Sequence, residues 1–191
     1  MSKLYYLTAL LLIIILAVAS SWFFDSIKEH QQQPEEEVRH EADYFLENFT
    51  ATTRNIKGQI SYKVVAVHLE HYPDDNSMKL QKPVFSFYED NIKSWNAVAD
   101  EAIIFQDTQI IHLNGHAILK QLTSPKVNII PGKITSDQLT IEAKKKIAHT
   151  KTKIKLEQGN NHIQATGMRA NMNSNKIEFL SKTRSHYVID K

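Results

Sequence analysis

The sequence predicts an all-β protein, one antiparallel domain preceded by a single apolar helix, and three observations predict it. Runs of β-branched and aromatic residues alternate with short polar segments from Phe49 onward. Helical periodicity fades after residue 48. One pattern also recurs four times. It opens with a small residue followed three positions later by an apolar one: Ala66 and Leu69, Ala99 and Ala102, Ser136 and Leu139, Ala165 and Met168. Further along each copy comes a second cluster, Met78/Leu80, Ile111/Leu113, Ile147/Ala148 and Ile177/Phe179. A period of roughly 30 to 37 residues is that of stacked supersecondary units. A β solenoid or a jellyroll satisfies it, each layer burying the apolar face of the next.

The N-terminal element is a charge-free run from Leu4 to Phe24, long enough to cross a hydrocarbon core about 30 Å thick. Lys3 precedes it and Asp25 and Glu29 follow, which leaves the N-terminus in the cytoplasm. Tyr5 and Tyr6 at one end and Trp22, Phe23 and Phe24 at the other suit the two membrane interfaces. The rival reading is a cleaved signal peptide, with Ala17-Val18-Ala19 as its small-residue site, although the apolar run continues past it. Both readings export the remainder, and a bacterial periplasm is the expected setting. The predicted organisation is therefore a transmembrane helix over residues 1–24, a linker over 25–43 and a β domain over 44–191.

The linker contains Gln31-Gln32-Gln33-Pro34-Glu35-Glu36-Glu37, too polar to pack and self-repelling. The first strand is read at Phe49 to Thr53, with a turn around Gly58 and a strand from Ile60 to Leu69. Pro73-Asp74-Asp75-Asn76 closes that hairpin. Lys79 to Tyr88 reads as one strand, with Pro83 at an edge or a strand start and with Phe85 and Phe87 on one face. After Glu89-Asp90-Asn91, Trp95 leads into the central copy. There Ile103-Ile104-Phe105 and Ile110 to Leu113 flank a turn, and Asn114-Gly115 marks a second turn or a glycine bulge. Pro125 and Pro131-Gly132 punctuate short strands, Ala143 to Lys146 and Gln158 to Asn161 are turns, and the last copy runs from Ile163 to Ile189.

Composition excludes several functions. Lys+Arg 23 against Asp+Glu 21 gives no concentrated basic face for nucleic acid, and no cysteine is present for thiolate or Cys-zinc chemistry. Of the nine histidines, His68 with His71 and His112 with His116 are the closest pairs. The first pair points to opposite strand faces and the second straddles Asn114-Gly115, and neither brings the further ligands a metal site needs. No nucleophile elbow or phosphate-cradling glycine loop is present, so the chain reads as a non-enzyme without a cofactor or bound metal. Lys144-Lys145-Lys146 could meet phosphate but is more simply a solvated hairpin tip.

The apolar interior admits two readings. Leu80, Phe85, Phe87, Phe105, Leu113, Ile118, Ile154, Ile177 and Phe179 form either a packed core or the walls of a groove between open layers, which beside a membrane anchor suggests lipid. Open ends also leave strand edges available for strand addition by another β protein.

Several motifs then carry a resemblance. Asn55-x-x-Gly58 before a Tyr62-bearing strand, Gln81-Lys82-Pro83-Val84, Trp95-x-x-x-Ala99-Asp100-x-Ala102, Leu113-x-Gly115-His116, Ile134-Thr135-Ser136-Asp137, Met168-Arg169 and Thr183-Arg184-Ser185-His186-Tyr187 resemble the LptC family over nearly the whole chain. The resemblance implies a twisted, boat-shaped β-jellyroll of OstA-like layers. Its members take lipopolysaccharide from an inner-membrane ATP-binding-cassette transporter, built of LptB, LptF and LptG, and pass it to the periplasmic bridge protein LptA. It implies further that the neighbourhood of Gly58 docks on the transporter and that Thr183, Arg184 and Tyr187 lie where the bridge protein docks. Leu80 and Ile177 align with interior positions of the family, whereas Phe85, Phe105, Leu113, Ile118 and Phe179 are placed inside by alternation and Phe87 by sharing the face of Phe85.

Overall fold

The structure is a computed structural model that describes Tyr6, Thr8, Leu11 and residues 14–22, 40–122 and 130–187. The chain divides into two compact units, Met1–Arg39 and His40–Lys191. In the first, the described residues are helical and Ile14, Ile15, Leu16, Val18 and Trp22 are exposed. No described helix is long and apolar enough to cross a membrane. The rest of the expected span from Leu4 to Phe24, and the expected linker up to residue 39, lie outside the described residues.

The second unit is all-β and every pairing in it is antiparallel. Eleven strands follow in order: β1 (Tyr44–Arg54), β2 (Ile60–Tyr72), β3 (Ser77–Gln81), β4 (Val84–Glu89), β5 (Ile92–Val98), β6 (Glu101–Phe105), β7 (Ile110–Gln121), β8 (Gly132–Glu142), β9 (Ile147–Gln158), β10 (Asn161–Asn171) and β11 (Lys176–His186). The first strand thus begins at Tyr44, ahead of the expected Phe49. The strand expected over Lys79 to Tyr88 is two, because Lys82 takes a φ of 49° and Pro83 lacks the amide to continue the ladder.

That break shows how the fold is made. One half of β2 pairs with β4 and the other half with β3. Likewise β7 pairs with β5 through Ile118 to Gln121 and with β6 through Ile110 to Asn114. Each long strand therefore contributes its two halves to two ladders and bends between them. The bends fall at Asn48, Lys82, Gly115-His116, Gly167 and Lys182, all with positive φ, and at register shifts in β7, β8 and β10. Asn114-Gly115 is consequently a glycine bulge inside β7. A Cβ on Gly115, whose φ is 72°, would lie 2.6 Å from Asp100 Oδ2, so glycine is required there on two counts.

The repeat marks these bends. Ala66, Ala99, Ser136 and Ala165, and their partners Leu69, Ala102, Leu139 and Met168, are all buried at the crease between the ladders, where small side chains let the strands fold over. The hairpin turns of the layers are stacked as well. Gln106 N donates to Asn76 O, Ala143 N to Gln109 O and Met172 N to Lys146 O. The last residue of each turn, Asn76, Gln109, Lys146 and Asn175, has a φ of 50 to 56°.

Candidate functional site: an apolar interior with two open edges

Following the register from strand to strand gives the interior directly. One inward row runs Tyr44, His71, Met78, Ile104, Ile111, Ile141, Ala148, Ala170, Ile177. In the opposite ladder a second runs Ala51, Val64, Phe85, Ala97, Leu119, Ile134, Leu156, Ile163, Ser185. Both cross the molecule from β1 to β11 without a charged side chain other than the titratable His71. In the middle layers they are closed: Phe85 and Ile111, and Leu80 and Leu113 in the adjoining inward row through Ala102, expose no surface and belong to a single apolar cluster. At the β1 end, Tyr44 and Leu46 are exposed, and at the β11 end Ile177 and Phe179 are half-buried while packing against the cluster.

The expected lining residues are thus divided. Leu80, Phe85, Phe87, Leu113, Ile177 and Phe179 face inward. The three rings of Tyr62, Phe85 and Phe87 pack at centroid distances of 5.9 to 6.2 Å. Phe105 and Ile118 differ from expectation. Ile104 is buried in β6 and Ala117 and Leu119 in β7, so strict alternation turns Phe105 and Ile118 to the outer face. Phe105 there packs edge-on against the His112 ring, 5.7 Å away.

On the side away from the crease, the ladder ends face one another across a slot of about 630 Å³. Arg54, Gln59, Tyr88 and Asp90 line one side, and Gln109, Lys144, Lys146 and Asn173 the other. The buried Trp95 ties the two ladders beside it, its Nε1 donating to Met172 O at 3.0 Å. In the sequence Trp95 leads into the central copy and opens one of the family motifs, but neither position points to this bond, because its partner lies on a distant turn. Lys144 Nζ is held by Asp107 O at 3.2 Å and Lys145 pairs with Glu142.

Both outer strands keep a free edge: among the described residues β1 pairs only with β2 and β11 only with β10. Gly58 sits in the exposed β1–β2 turn at φ 76°, and a Cβ there would meet nothing within 4 Å. Asn55 builds this turn by accepting from the amides of Lys57 and Gln59. Thr183, Arg184 and Tyr187 are exposed on or just after β11.

The histidines go to separate partners. His68 Nδ1 meets Glu47 at 2.6 Å and His71 Nδ1 meets Asp43 at 2.7 Å, and these carboxylates raise the pKa of both rings. His40 pairs with Asp74 at 2.8 Å, also with a raised pKa, and stacks on Tyr72. His116 pairs with Asp100, which also holds Lys82. Those two cations, the Lys82 contact first, lower the Asp100 pKa. His112 instead donates to or accepts from Thr140 at 2.9 Å, and burial lowers its pKa. One grouping escaped the sequence reading: ligand atoms of His40, Asp74 and Asp75 lie within 4.8 Å of one another on the exposed surface.

These features define a class: a two-ladder antiparallel β-jellyroll with an apolar interior that reaches free strand edges at both ends. Comparison with known proteins gives the family. The family model described as "Lipopolysaccharide-assembly, LptC-related" matches residues 10–188, and the chain belongs to the LptC family. It is 26% identical over 151 residues to the lipopolysaccharide export system protein LptC of Escherichia coli K12, covering 78% of this chain and 77% of that protein. The corresponding protein of Shigella flexneri matches equally. Among solved structures, the crystal structure of LptH, the LptA-homologous periplasmic component of the lipopolysaccharide transport device of Pseudomonas aeruginosa, is similar with a TM-score of 0.54 at 12% identity. That likeness covers 68% of this chain and 95% of LptH and concerns the fold.

Proposed function

We propose that this protein is a lipopolysaccharide carrier of the bacterial envelope, anchored by residues 4–24 in the inner membrane. It takes the lipid from an ATP-binding-cassette transporter of LptB, LptF and LptG and relays it to LptA. The observation that carries this reading is the pair of apolar inward rows that continue from β1 to β11 and emerge at free edges. Such an edge accepts a partner strand, and the rows would then continue into a partner of the same fold. The chain contributes shelter and alignment, and the energy comes from ATP hydrolysed in the transporter.

The closed middle layers set the energetic condition. Exposing one large buried side chain costs about 1.5–3 kcal/mol and sheltering a methylene returns about 0.8 kcal/mol, so about two to four methylenes offset each side chain displaced. Several acyl chains can therefore part the ladders and replace the internal contacts around Leu80, Phe85, Phe87 and Leu113. The slot opposite the crease is the entry this requires, and Gly58 and the Thr183, Arg184 and Tyr187 segment are the docking positions for transporter and bridge protein.

Lipopolysaccharide binding to the full chain tests the reading through Ile177→Asp and Phe179→Asp. Both sites are only half-buried at the β11 end, so the fold tolerates the change. Loss of binding with an unchanged melting temperature supports a conduit. Unchanged binding, or loss only in step with unfolding, supports instead a scaffold whose interior is a plain core, a reading favoured by the zero exposure of Leu80, Phe85 and Leu113.

A further inference from the structure

We propose that the outer face of β7 to β11 carries a binding groove for a phosphoryl group. A groove of about 580 Å³ lies along the crease there, passing over the cross-strand row of Ser136, Ile154 and Ala165, whose own side chains are buried on the opposite, inner face. Around it stand His116 from β7, Lys153 and Lys155 from β9, and Lys182 and Arg184 from β11, with Asp137 the one acidic residue in the lining. Such a balance is unlike the chain as a whole, where acids and bases nearly cancel.

The charges are also available. His116 is engaged by Asp100, and Lys155 by Glu157 at 2.7 Å. Lys153, Lys182 and Arg184 have no ion pair among the described residues, although acidic partners are abundant elsewhere on the sheet. They occupy neighbouring register positions: Lys155 pairs with Gln164 and Gln164 with Arg184, while Lys153 pairs with Thr166 and Thr166 with Ser181, next to Lys182. Two strand spacings, ~10 Å, separate the β9 and β11 backbones, a gap that lysine and arginine side chains from both sides can close on one tetrahedral anion. Thr135, Gln164 and Thr166 add neutral hydroxyl and amide groups to the same lining. A concave site of this volume fits a small ligand group, and concentrated cation with hydrogen-bond donors fits a phosphate oxyanion.

The local fold explains why the cations gather. The bulges of β7, β8 and β10 break strict alternation at the crease, and Lys182, at φ 49°, is turned at the β11 bend. Residues scattered from 116 to 184 thereby share one concavity. The inference does not rest on the interior accepting acyl chains, because the groove is lined mainly by outward-facing side chains.

The test uses the full chain in detergent micelles and three probes: inorganic pyrophosphate, lipopolysaccharide, and the same lipopolysaccharide after enzymatic removal of its phosphates. Saturable pyrophosphate binding that weakens at least tenfold in Lys153→Gln/Lys182→Gln/Arg184→Gln, and falls with added salt, supports the groove. Lys153→Gln alone, distant from the β11 edge, is expected to weaken binding in the same direction with the fold intact by circular dichroism. If native but not dephosphorylated lipopolysaccharide competes with pyrophosphate, the phosphoryl source is the lipid head. If neither lipid competes while pyrophosphate binds, the source is a free phosphate. Absence of pyrophosphate binding, or binding that Lys153→Gln leaves unchanged, overturns the proposal. Ile177→Asp run in parallel separates the two claims: it affects lipid uptake and leaves pyrophosphate binding unaltered.

Discussion

At the scale of single residues, two glycines illustrate different constraints. Gly58 needs only its positive φ, so Gly58→Ala is expected to cost about 1–2 kcal/mol from the left-handed backbone alone. Gly115 must also make room for Asp100, and Gly115→Ala is expected to cost about 2–4 kcal/mol, that strain together with displacement of the carboxylate that pairs Lys82 and His116. Urea midpoints at constant slope would rank the two. Asp100 gives a pH signature too. Its folded pKa is depressed, so its contribution is present above the ordinary carboxylate value near 3.8 and lost as pH falls through the lower folded value. Not every residue was legible. Phe105 and Ile118 stand in unbroken apolar runs, Ile103-Ile104-Phe105 and Ala117-Ile118-Leu119, which carry no alternation phase of their own. The bulge at Gly115-His116, whose extent a sequence does not state, interrupts the phase before Ala117.

At the scale of elements, β1 is the exposed strand whose attachment is most conditional. Its ladder to β2 is joined by His68 on Glu47 and His71 on Asp43, with His40 on Asp74 just before it. All three ring pKa values are raised above the ordinary 6.5 by hydrogen bonds to these carboxylates. A raised folded pKa means that the contribution is full below about 6.5 and disappears as pH rises through the folded values. Hydrogen-exchange protection of the β1 amides, relative to those of β7, is therefore expected to decrease between mildly acidic and alkaline pH. Equal protection across that range would mean that the ladder alone holds β1. Trp95 belongs to this scale as well. Trp95→Phe removes the bond to Met172 O and leaves a buried carbonyl unpaired, an expected loss of about 1–3 kcal/mol in thermal or urea unfolding. The repeat was readable because small residues are needed wherever a strand bends from one ladder to the other, at Ala66, Ala99, Ser136 and Ala165. The division of β3 from β4 was half readable, since Pro83 announced a strand start but the left-handed Lys82 before it did not.

At the scale of the whole molecule, the layered order follows from the period of the sequence, whereas the groove at the crease and the slot opposite do not. Both are assembled from residues far apart in the chain, such as His116 with Arg184 and Gln59 with Asn173, and only the register brings them together. In the proposed function the inward rows form a path for lipid and the β11 edge hands it on. The most direct measurement is photo-crosslinking in cells from a probe amino acid placed at Leu80, Ile177 and Tyr187, with the outward-facing Lys63 as control. A lipid path predicts transfer to lipopolysaccharide from Leu80 and Ile177, transfer from Tyr187 to a small periplasmic protein, and no lipid adduct from Lys63. Protein adducts from Tyr187 with no lipid adduct at Leu80 or Ile177 would contradict the conduit and leave the interior as a packed core.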